Sequence, residues 1–102
     1  MLDKYEKSIS EWSIARNLHT QDPNAQFTKV EEEVAEIGEA LESGDKTELM
    51  DAIGDTFVTI VILAQQSGLS FLDCVRMAYN EIKDRKGQLI DGVFVKEADL
   101  HD

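Results

Sequence analysis

With a single cysteine, Cys74, the chain cannot close an intramolecular disulfide, so its fold must rest on packing alone. Lying in an apolar segment, that thiol reads as inert packing rather than as a nucleophile. One proline and six glycines leave few breaks in the chain, which excludes a loop-rich or low-complexity protein. No long hydrophobic run is present. The longest apolar stretch, residues 56–64, is too short to cross a bilayer, so no membrane partner is expected. Residues 1–13 carry Asp3, Glu6 and Glu11 and lack the apolar centre of a secretory signal, so cytoplasmic residence is expected. Basic residues are scarce too, 10 Lys and Arg against 21 Asp and Glu, for a formal charge of −11. Such a surface repels a phosphodiester backbone, and no nucleic acid polymer is expected as partner. A small nucleotide is still allowed, because bound cations can reverse the local field.

What is present suits one folded domain over residues 1–102: 42% hydrophobic and 30% charged residues. A domain this small buries only a modest core by itself, which makes homo-oligomerisation an early expectation. Helical spacing of Tyr5, Ile9 and Trp12 predicts a first helix over 3–17, followed by a loop over 18–24 that holds Pro23. A second helix is predicted over 25–42, stopping at Ser43-Gly44. Asp45 or Thr47 then caps a third helix reaching Gln66, and Ser70 caps a fourth running to about Lys86. Asp91-Gly92 between Leu89-Ile90 and Val93-Phe94-Val95 is a hairpin signal. The expected fold is all-α, a four-helix bundle-like domain with a short C-terminal β-hairpin, assembled as an oligomer.

The second helix carries the densest charge. At about 100° per residue, Val30, Val34, Ile37 and Leu41 form one stripe that should face the core. Glu33 and Glu36 fall on a flank of it with Lys29 and Gln26, whereas Glu32 and Glu39 point toward solvent. Two carboxylates three residues apart repel each other unless a cation or proton intervenes. An oxygen-rich pair of this kind suits magnesium.

On the third helix Glu48, Asp51 and Asp55 share one quadrant, opposite a core side of Met50, Ile53, Phe57, Ile60 and Ala64. Past Asp55 the acidic line turns apolar through Val58 and Ile62. The second half is then apolar nearly all round, which predicts burial in a homo-oligomer, with a dimer as the smallest solution. The fourth helix has a stripe of Phe71, Val75, Ala78 and Ile82, and ends in the basic stretch Lys83-Asp84-Arg85-Lys86. Those cations suit a triphosphate and equally suit a helix C-terminus.

In order, these segments resemble the MazG-like all-α nucleotide pyrophosphohydrolases, a family that includes the dimeric dUTPases and dCTPases. Glu32-Glu33-Val34-Ala35-Glu36, preceded by Lys29, is similar to the family's Glu-Glu-x-x-Glu stretch. Ile53-Gly54-Asp55 followed by Phe57 is similar to its Gly-Asp end, and Asn80-Glu81-Ile82-Lys83 with Arg85 to its basic motif. The likeness runs from about Trp12 to Val93-Phe94-Val95-Lys96. It departs at Ala52, where the family has a glutamate three residues before the Gly-Asp aspartate; Asp51 or Glu48 is the alternative oxygen donor.

The resemblance implies hydrolysis of a (deoxy)nucleoside triphosphate to the monophosphate and pyrophosphate. It implies Mg2+ as cofactor, with Mn2+ as a substitute, held by Glu33, Glu36 and Asp55 with Asp51 next. Glu33 would also act as the base. Lys83 and Arg85, with Lys29 and Asn80, would bind the substrate, and Trp12 would stack on its base or pack in a core or interface. The homo-oligomer would be a dimer or dimer of dimers. The competing reading is a non-catalytic helical oligomer, acting as a nucleotide-sensing or protein-interaction module. His19, in a polar loop, is assigned no chemistry.

Overall fold

A computed structural model describes residues 1–100. They form four helices, α1 (Leu2–Ala15), α2 (Pro23–Ser43), α3 (Lys46–Gln66) and α4 (Phe71–Ile82), then strands β1 (Gly87–Ile90) and β2 (Val93–Lys96) and a 3₁₀ turn at Glu97–Asp99. The chain divides into two compact units, Met1–Leu72 and Asp73–Asp102.

In the first unit, α2 and α3 are an antiparallel pair joined by a tight connection. Asp22 caps α2 by accepting from the Asn24 amide, and Pro23 at the first helical position has no N–H to leave unsatisfied. The helix therefore begins two residues earlier than its spacing predicts. It ends at Gly44, whose φ of 76° is a left-handed conformation that glycine adopts without steric cost. Asp45 then caps α3 by accepting from Thr47 and Glu48 amides, so Asp45 rather than Thr47 is the cap.

Helix α1 packs on α3, and polar side chains tie the elements together. Gln65 Nε2 donates to the Ser10 carbonyl at 3.2 Å and Gln66 Nε2 to the Leu18 carbonyl at 2.9 Å. The first turn of α4 is fastened to α1 by the Leu72 amide donating to Glu6, and to α3 by the Phe71 ring meeting Phe57 edge-on at 5.0 Å.

The core follows the predicted apolar stripes only in part: Val30 and Ala64 are buried, and Ile37, Phe57 and Ile60 half-buried. Val34 and Leu41 are 51% and 63% exposed, and Met50 and Ile53 are also on the surface. The buried line of α2 is Val30, Glu33 and Ala40, and that of α3 includes Ala52, Thr59 and Ile62. The α2–α3 seam is thus rotated toward the acidic flanks, because small Ala40 and Ala52 let the backbones approach where larger side chains could not. In the apolar second half of α3, Val61, Ile62 and Ala64 are buried within one chain, whereas Val58, Ile60 and Leu63 are half-buried.

In the second unit α4 ends at Ile82, four residues short of the expected Lys86. Val75, Ala78 and Ile82 of its predicted core stripe are exposed, as is Cys74, which is not packed as its segment predicts. The hairpin pairs Gly87 with Lys96 and Ile90 with Val93. Asp91 and Gly92 both have positive φ (52° and 81°), the twist that matches a two-residue Asp-Gly turn to its strands. A Cβ on Gly87 would collide with the Val95 carbonyl and the Phe94 ring, so only glycine fits there. Among the described residues no single helix is long and apolar enough to cross a membrane.

Candidate metal centre and adjoining cleft

Successive turns of α2 carry Lys29, Glu33 and Glu36 down one edge of the seam, and α3 brings Asp55 to meet them. Carboxylate oxygens of Glu33, Glu36 and Asp55 all lie within 4.8 Å of one another. Glu33 is 7% exposed, a deeper position than the flank its spacing predicts. Its Oε1 is 3.4 Å from the Lys29 ammonium, which also reaches Glu32 at 3.4 Å. Its Oε2 is buried without a hydrogen-bond partner.

The electrostatics follow from this crowding. The Glu33 carboxyl, as hydrogen-bond partner and then as like charge, holds Glu36 above the ordinary glutamate value of 4.5. Desolvation, then the charges of Asp51 and Glu33, pushes Asp55 above 3.8. Lys29 is raised by its contacts with Glu33 and Glu32. Three converging carboxylates with one orphaned buried oxygen are a hard, all-oxygen donor set, and these residues fit a divalent cation such as magnesium.

Ala52, at the position where the family pattern has a glutamate, is buried in the seam, so it packs helices instead of donating oxygen. Asp51 is exposed and stands outside the group of three. With Glu36, Glu39 and Glu48 it lines a separate acidic cleft on the Ala40–Ala52 side. Both alternative donors thus sit together, connected to the cluster through Glu36.

A larger cleft of about 410 Å³ opens from the cluster and is lined by Glu33, Asp55, Lys29, Trp12, Gln26 and Thr59, with apolar walls from Val58 and Ile62. Trp12 is 47% exposed, carries the Arg16 guanidinium 4.0 Å above its ring, and also borders a second apolar cleft with Tyr5 and Ile9. It is therefore a cleft wall rather than a core residue. Asn80, Lys83 and Arg85 are exposed residues of the second unit. Sequence reasoning left Gln26, Thr59 and Arg16 unassigned. Only Gln26 gave a signal, by sharing the flank of Lys29 and Glu33.

Comparison with known proteins bears on this geometry. The chain matches the phosphoribosyl-ATP pyrophosphohydrolase family over residues 1–84. Over 62 residues it is 39% identical to an uncharacterized 18.2 kDa protein from the rep-hol intergenic region of Haemophilus phage HP1. That alignment covers 60% of this chain but spans only 38% of the phage protein. No solved structure matches the chain.

Proposed function

The chain belongs to the phosphoribosyl-ATP pyrophosphohydrolase family, within the MazG-like all-α superfamily that its motifs resemble, and on that premise we propose that it hydrolyses nucleoside triphosphates to nucleoside monophosphate and pyrophosphate with magnesium. The observation that carries this reading is the convergence of Glu33, Glu36 and Asp55 beside a cleft of nucleotide size. Glu33, Glu36 and Asp55 would hold the cation, with Asp51 at its margin. A bound magnesium ion would neutralise phosphate charge and make water a better nucleophile.

The residues of this chain divide the remaining work. Water adds to the α-phosphorus, the α–β bridging P–O bond breaks, and pyrophosphate leaves. Glu33 takes the water's proton, for which its buried Oε2 has no competing partner. Lys29, fully charged beside Glu33, holds a phosphate oxygen. Trp12 stacks on the base. The apolar walls of the cleft exclude water around the reacting groups.

A homo-oligomer is part of the proposal. Phe27, Val34 and Leu41 recur every seven residues along the outside of α2 and are more than half exposed. With exposed Met50 and Ile53 of α3, they supply apolar surface of the kind that a second copy covers.

The test is a panel of common and oxidised nucleoside triphosphates incubated with magnesium, reading pyrophosphate. Release from at least one substrate, abolished by chelation, is expected. Silence across the panel from folded protein overturns the proposal.

A further inference from the structure

Gln26 and Glu33 line the same cleft but stand two helical turns apart on α2, about 10 Å along the axis. A nucleotide with its phosphates at Glu33 and Asp55 and its base directed along the cleft would bring that base to Gln26, in a space that Trp12 and Ile62 also line. The Gln26 amide is held in one orientation. Its Nε2 donates to the Thr59 backbone carbonyl at 3.1 Å. A carbonyl oxygen only accepts, so the amide nitrogen must face it and the group cannot be flipped. Oε1 is left as an acceptor, with no hydrogen bond to it among the described residues.

Resting on the nucleotide reading above, we infer that Gln26 is a specificity-determining residue whose Oε1 selects bases with an amino group at purine C6 or pyrimidine C4, adenine and cytosine, over those with a keto oxygen there. The substituent at purine C6 or pyrimidine C4 is the part of the base farthest from the sugar, and it is the group that meets Gln26. An amino group there donates to Oε1, whereas a keto oxygen meets it lone pair to lone pair. Water is displaced from the cleft by the base, so the mismatched acceptor goes unpaired and discriminates strongly.

The chain's one tryptophan, Trp12, reports occupancy of this cleft by fluorescence without any turnover. AMP titrated against IMP, and CMP against UMP, with magnesium present, should show the amino member of each pair binding about ten-fold tighter or better. Gln26→Met should bring each pair within about three-fold, chiefly by weakening the amino member. Gln26→Ala, which also removes the acceptor, should bring each pair within the same range and serves where the Met variant does not fold. Equal binding within each wild-type pair, or an undiminished preference in folded Gln26→Met or Gln26→Ala, overturns the inference. Nucleotide binding or pyrophosphate release without amino–keto discrimination refutes this inference alone. No fluorescence response together with no pyrophosphate release removes the underlying reading and the inference with it.

Discussion

Replacing Asp55 by asparagine should stabilise the metal-free protein at neutral pH and weaken its response to magnesium. Asp55 and Glu33 bring oxygens within 4.8 Å of each other, one residue half-buried and the other buried. Two like charges at that separation repel by about 1 kcal/mol in water and about 3 kcal/mol at the effective dielectric of a protein surface. The exposed side of Asp55 admits solvent screening, which leaves about 1–2 kcal/mol. In a domain of this size that is a rise of about 4–16 °C in Tm.

The pH dependence has a definite sign. Burial first, then Asp51 and Glu33, raises the folded-state value of Asp55 above 3.8. Its contribution to stability is therefore fully present below the unfolded value and lost as pH rises through the folded one. At neutral pH the wild type carries the whole repulsion, and asparagine relieves it; at about pH 3 Asp55 is protonated and the substitution should be nearly neutral. Magnesium reverses the order, since a ligand at about 100 times its Kd adds about 2.7 kcal/mol and asparagine binds it less well. Thermal unfolding by circular dichroism in EDTA at both pH values, then with magnesium, measures all three effects. A lower Tm for Asp55→Asn in EDTA at neutral pH, or an equal gain at both pH values, would refute the reasoning.

Other perturbations test neighbouring parts of the structure. Glu33→Gln should cut pyrophosphate release by about 100-fold or more and remove the magnesium-induced rise in Tm; a wild-type rise would mean that Glu33 is not a ligand. Because Glu36 and Asp55 both hold protons more tightly than usual, magnesium affinity by calorimetry should fall as the solution is acidified toward their range, and constant affinity would contradict the proposed ligand set. Asp45→Ala removes the acceptor for two amides at the start of α3 and should cost about 1–2 kcal/mol in urea unfolding; an unchanged midpoint would show that the cap adds nothing. Leu41→Glu should shift the sedimentation coefficient toward a monomer, and a monomeric wild type would remove the oligomer proposal.

Local chemistry was legible along the chain wherever one residue sufficed to decide an outcome. Gly44-Asp45 and Asp91-Gly92 set a helix stop, a helix start and a turn through their own hydrogen bonds and φ preferences, whereas the start at Asp22-Pro23 falls in what the sequence reads as a loop. Helical spacing selected Glu33 and Glu36 from a run of glutamates, and the family pattern pointed to Asp55 and, next, Asp51; the first three converge and Asp51 stands outside them. Which face of each helix is buried was legible only in part. Hydropathy placed Val30 and Ala64 correctly in the core but put Val34, Leu41, Met50 and Ile53 there too, and these are exposed, while Ala40, Ala52, Thr59 and Glu33 are buried. Interhelical approach depends on the size of both facing residues, a pairwise property that no single helix carries. That rotation buries Glu33 and leaves its Oε2 unpartnered, gives Ala52 a packing role and turns Trp12 into a cleft wall. Sequence alone therefore determined the elements and the identity of the clustered carboxylates. Only the tertiary structure decided their depth, their shared electrostatics and the cleft beside them, because each depends on residues far apart in the chain being brought within a few ångströms.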